Sequence, residues 1–80
     1  MVKRSLELRK ILAENIRNLR RQKKLSQEGF ADICGLHRTY VGSVERAERN
    51  VTLNTLEAFA SALGISVPNL LTRKGKKVER

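Results

Sequence analysis

The sequence predicts an all-α fold, a compact bundle of five short helices. Three observations carry that reading. Apolar residues recur at spacings of three and four, as at Leu8, Leu12, Ile16 and Leu19. Ser26, Thr52 and Ser66 stand where helices would need N-caps, and Gly35 and Gly64 where they would need a left-handed stop. No segment alternates apolar and polar residues in the two-residue period of a strand. Eighty residues make at most one domain, expected over 1–72. A chain this short buries only about 60–65% of its unfolded surface. The basic stretch 73–80 has no apolar periodicity and is expected to be a disordered tail.

The first helix is expected over 6–23, with Ser5 as N-cap and Arg9, Lys10, Arg17, Arg20 and Arg21 opposite the leucine stripe. Ser26 caps the second helix, and Leu25 before it can pack back on the core. Phe30, Ala31 and Cys34 form its inner face. Gly29 inside it costs about 0.5–1 kcal/mol relative to Ala, and neither Gly29 nor the outward Ile33 has an explanation in the sequence. The third helix is expected over 38–46. Thr52 caps the fourth, whose buried face is Leu53, Leu56, Phe59, Ala60 and Leu63, and Gly64 ends it. Ser66 caps a short fifth helix with Pro68 in its first turn, followed by Leu70 and Leu71.

The segment QEGFADICGLHRTYVGSV, residues 27–44, is the most informative. Ala31 is small where two steeply crossing helices need a near-absent side chain. Gly35, four residues on, suits a turn with positive φ. Val41 and Val44 share one helical face and can pack back, which leaves Arg38, Thr39 and Ser43 pointing outward. That is the layout of a DNA-reading helix-turn-helix. The charge agrees with a polyanionic partner: 17 Lys and Arg stand against 8 Asp and Glu, for a formal net charge of +9.

Other classes find little support. Cys34 and His37 are each the only residue of their type, so no His/Cys metal cluster can form within one chain, and no cofactor is expected. No nucleophile–base set and no Gly-rich phosphate loop is present, so an enzyme is not expected, nor a small-molecule ligand. No apolar run approaches the roughly 18 residues that cross a bilayer, and the N-terminus has no signal-like apolar region. The expected compartment is the cytoplasm, with no membrane partner.

At this point a family is visible. LSQEGFADICGLHRTYVGSVERAERNVTLNTLEAFASALGIS resembles the DNA-binding domain of the lambda-repressor/Cro (Xre) type, over residues 12–71. Within it, HRTYVGSVERAERN before a Thr-capped helix most resembles the controller proteins of bacterial restriction-modification systems. The usual pattern has Leu at Gly29 and Gly at Ala47. Ala47 must then accept a left-handed conformation, costing about 1 kcal/mol, or the helix must end differently, which leaves the path of 46–50 open.

The resemblance implies roles for individual residues. Arg38 opens the third helix and can bond O6 and N7 of guanine bidentately; the alternative is a solvated or phosphate-bound arginine. Thr39 can meet a thymine methyl or a phosphate, and Ser43 a base edge or a sugar-phosphate oxygen. Gln27 opens the second helix, whose free N–H groups suit a phosphate; otherwise it is an ordinary first-turn polar residue. Tyr40 meets a phosphate or is partly buried in the core. Arg46, Arg49, Asn50 and Thr52 are placed to grip flanking phosphates, although Arg46 and Arg49 could instead pair with Glu45 and Glu48. His37 is a cap residue or a phosphate contact. Gly42 lets the helix sit close to DNA or only relieves crowding. The resemblance pairs Glu45 with Arg20 in a structural ion pair.

One reading helix buries little surface, so regulators of this kind pair across a palindrome with half-sites about 34 Å apart. The pairing surface is expected at Ile65, Val67, Leu70 and Leu71, unless these only close the monomer core. Because Leu70 and Leu71 are adjacent, one should point inward and the other toward the partner. The leading expectation is a sequence-specific transcription regulator that binds operator double-stranded DNA as a homodimer. As a controller it would regulate itself and a linked endonuclease gene. The alternatives are an antitoxin that binds a toxin protein and autoregulates its operon, and a bundle that binds only proteins.

Overall fold

Five helices follow one another in the computed structural model, which describes residues 3–73, with side chains from Leu6 onward. They are α1 (Lys3–Gln22), α2 (Gln27–Cys34), α3 (Arg38–Glu45), α4 (Leu53–Leu63) and α5 (Val67–Leu70). No strand occurs among the described residues. Most of the expected tail, 74–80, lies outside them. α1 begins at Lys3, so Ser5 lies within the helix rather than capping it. The other caps act as hydrogen-bond acceptors: Ser26 from Gly29 N, Thr52 from Thr55 N and Ser66 from Asn69 N.

Four segments end in the same way. Lys24, Gly35, Ala47 and Gly64 are left-handed, with φ of 60°, 72°, 62° and 73°. At each, the left-handed residue and the one after it return N–H bonds to the preceding helix. Gly35 N donates to Asp32 O and Leu36 N to Ala31 O; Ala47 N donates to Val44 O and Glu48 N to Ser43 O. This satisfies carbonyls the helix leaves open. Glycine takes the conformation without strain at two of the sites, while Lys24 and Ala47 take it with a Cβ.

The core is built where the five helices meet. Ile16 of α1, Phe30 of α2, Val41 of α3, Phe59 of α4 and Leu70 of α5 are wholly buried. The Phe30 and Phe59 rings stack with centroids 5.6 Å apart, tying α2 to α4. Asn15, buried in α1, donates to Leu70 O at 2.8 Å and to Thr72 O at 2.8 Å. One side-chain amide thereby satisfies the end of α5, a role the sequence did not disclose.

Two expected core positions lie outside the core. Leu53 is 77% exposed because the buried residues of α4 begin only at Leu56, leaving its first turn beyond the bundle. Leu8 is 41% exposed for the corresponding reason: the tightly packed part of α1 starts at Leu12.

Candidate nucleic-acid interface

The α2–α3 corner is assembled from local signals. Gly35 turns the chain, and the His37 imidazole Nδ1 accepts from Thr39 N at 3.1 Å, capping α3. Val41 and Val44 are buried and hold one face of α3 against the bundle. Arg38 and Thr39, in its first turn, stay exposed. Among the described residues Arg38 ion-pairs only with Glu28, its Nη1 lying 3.9 Å from Oε1, with both side chains about two-thirds open to solvent. Such a pair holds the guanidinium weakly.

The other end of α3 is fixed in the interior. Glu45 is buried and accepts from Arg20 Nε at 2.6 Å and Nη2 at 3.0 Å, and from Gln27 Nε2 at 3.0 Å. Arg20 Nη1 also donates to Leu25 O at 2.8 Å, and Arg17 donates to the Glu45 backbone carbonyl. An unpaired carboxylate here would be strongly disfavoured; this one has both oxygens engaged. The hydrogen bond to Glu45 holds the Arg20 guanidinium above its ordinary range, outweighing the opposing effect of burial. The network joins α1, the start of α2 and the end of α3, so α3 is aligned from behind.

Gln27 has two connections to α3. Its amide nitrogen reaches Glu45, and its Oε1 lies over Gly42, where an added Cβ would come within 3.4 Å of it and 3.2 Å of Arg46 Nη1. Gly42 is buried and serves this packing; it does not face outward.

Ser43 departs from expectation. It is only 6% exposed, because the chain after α3 folds over it. Its carbonyl accepts from Glu48 N at 3.0 Å, and its hydroxyl donates to Tyr40 O at 2.7 Å and accepts from Arg49 Nε at 3.1 Å. It therefore does not point outward beside Arg38 and Thr39. Arg49 in turn lies over the half-buried Tyr40 ring, Cζ 5.5 Å from the centroid. Arg46 Nε donates to Glu48 Oε2 at 3.1 Å on the open surface. Asn50 is exposed, and Thr52 caps α4, which has no acidic residue in its first turn. Sequence reasoning did not foresee the Ser43–Arg49–Tyr40 cluster, because it depends on the loop's path after Ala47.

At the expected pairing surface, Leu70 is the inward member of the Leu70–Leu71 pair, wholly buried in the chain's own core, and so is not free to form an interface. Ile65, Val67 and Leu71 are half-buried. Leu71 also lines a shallow cavity of about 160 Å³ with Leu8, Arg9, Leu12, Val51 and Leu56.

Among the described residues no helix is long and apolar enough to cross a membrane, and no group of His, Cys, Asp and Glu is arranged to hold a metal. The family model described as helix-turn-helix matches residues 16–70. The control protein C.SmaI of Serratia marcescens is 60% identical over 75 residues, 94% of this chain and 89% of that protein. The control protein C.BamHI of Bacillus amyloliquefaciens is 40% identical over 65 residues, 80% of each chain. The crystal structure of the restriction-modification controller protein C.AhdI from Aeromonas hydrophila superposes with a TM-score of 0.74 at 44% identity, covering 78% of this chain and 94% of that one.

Proposed function

The chain belongs to the helix-turn-helix family of DNA-binding transcription regulators, and from that premise we infer that it is a restriction-modification controller acting as a homodimer on a palindromic operator. The observation that carries the DNA reading is the contrast between the two ends of α3. Its far end is locked by Glu45, while its first turn presents Arg38 and Thr39 with no firm partner. A rigid helix with free donors at its leading end is what the major groove admits.

In this reading Arg38 contacts guanine and Thr39 a thymine methyl or a phosphate. Phosphate contacts come from Gln27 and the N-terminus of α2, from Tyr40, Arg46, Arg49 and Asn50, and from Thr52 at the N-terminus of α4. Gln27 can contribute because its amide carries a second hydrogen besides the one given to Glu45. Ile65, Val67 and Leu71 supply the pairing surface. The three similar proteins are named as control or controller proteins, which favours this reading over an antitoxin. The family is one of regulators, so no catalytic step is assigned, and the site of action is the cytoplasm where the DNA lies.

Selection from a library of random duplexes, followed by titration across salt concentrations, tests this function. It should yield a palindromic site whose affinity falls roughly 10³–10⁵-fold between 50 and 200 mM salt for 6–10 phosphate contacts. Recovery of no preferred sequence, with salt-insensitive binding, would remove the reading.

A further inference from the structure

We propose that Ser43 and Tyr40 are positioning residues that hold Arg49 beside the reading helix as a preformed phosphate clamp. The proposal rests on the DNA-binding reading above and gives Ser43 a role different from base contact.

Three observations converge on it. The Ser43 proton is committed to Tyr40 O, so the hydroxyl can offer Arg49 only a lone pair, and Arg49 Nε donates to it at 3.1 Å. The Tyr40 ring lies beneath the guanidinium, 5.5 Å from centroid to Cζ, which supports its flat face. The loop is held by backbone as well: Glu48 N donates to Ser43 O, with Ala47 left-handed just before. One residue of α3 thus fixes both the main chain before Arg49 and the Arg49 side chain.

The remaining guanidinium nitrogens, Nη1 and Nη2, make no hydrogen bond among the described residues, and Arg49 is exposed. Two parallel N–H groups on a fixed plane match two oxygens of a phosphate. A free arginine must lose its rotamer freedom when it binds; one already ordered has less to lose. Ser43 and Tyr40 would then raise affinity without contacting a base, and they would do so only through Arg49.

The test is a double-mutant cycle on the full chain, titrated against a fluorescein-labelled duplex of random sequence about three helical turns long. Ser43→Ala should weaken binding roughly two- to tenfold. Arg49→Ala should weaken it further and flatten the log K against log salt slope by about one. On the Arg49→Ala background, Ser43→Ala should then have no further effect on affinity, although its effect on melting temperature persists. A loss from Ser43→Ala of the same size on both backgrounds would overturn the proposal. Tyr40→Leu, which removes the ring face at a half-buried site, should show the same dependence on Arg49 and serves if Ser43→Ala does not fold. If the unaltered chain binds duplex but Arg49→Ala binds as tightly, the clamp alone is wrong. If the unaltered chain binds neither this duplex nor any selected one, the DNA-binding reading fails with it.

Discussion

Glu45 at the end of α3 accepts from Arg20 of α1 through both carboxylate oxygens, at 2.6 and 3.0 Å. The pair is buried, so each charge depends on the other. Removing one partner of such a pair strands the second, typically at a cost of about 3–5 kcal/mol. Glu45→Ala should therefore destabilise severely. Glu48→Ala breaks only an exposed pair with Arg46 and should stay within about 0.5 kcal/mol. Urea unfolding of the two variants checks this; equal losses would contradict the buried pair's role.

Ala47 is left-handed at φ 62° and carries a Cβ there. Ala47→Gly should raise stability by about 0.5–1 kcal/mol, since relief of strain exceeds the entropy glycine adds to the unfolded chain. Ala47→Val, β-branched in the same conformation, should lower it. The midpoints of thermal unfolding decide, and a lower midpoint for the glycine variant would count against strain at this site.

Leu70 and Leu71 should separate by function. Leu70 is wholly buried, and Leu70→Ala should cost about 2–5 kcal/mol of folding stability. Leu71→Asp should instead shift sedimentation from dimer toward monomer while the helical circular-dichroism signal remains. A protein that is already monomeric at high micromolar concentration would remove this pairing surface.

Burial pushes the Cys34 thiol above its ordinary pKa, because desolvation disfavours the thiolate. The reactive species is the thiolate, so it is scarcer in the folded chain. At about pH 8, iodoacetamide should alkylate Cys34 more slowly in the folded chain than in urea, and the gap should narrow as pH rises through the raised pKa. Equal rates in both states would contradict the burial.

Local chemistry made much of the fold legible. The caps Ser26, Thr52 and Ser66 and the stops at Gly35 and Gly64 act within a turn of their own position, so sequence alone exposes them. The sequence allows two outcomes at Ala47, and the chain adopts the left-handed one. What eluded sequence reasoning depends on distant parts of the chain meeting. Leu53 continues the apolar pattern of α4, yet the core it would join does not extend that far. Ser43 shares a helical spacing with Thr39, yet the loop bearing Arg49 covers it. Asn15 reaches across 55 residues to the carbonyl of Leu70. The exposure of Arg38 and Thr39 follows from the buried valines beside them, which is why that exposure is legible in the sequence.

Base readout, as proposed, runs through Arg38 in the first turn of α3. It is tested most directly by measuring the affinity of the unaltered protein and of Arg38→Ala for the selected site and for each of its single-base-pair variants. Arg38→Ala should lose about 1–3 kcal/mol of discrimination at one guanine-containing position in each half-site and keep its preferences elsewhere. A uniform loss of affinity across all sequences, matching that of Arg49→Ala, would contradict it.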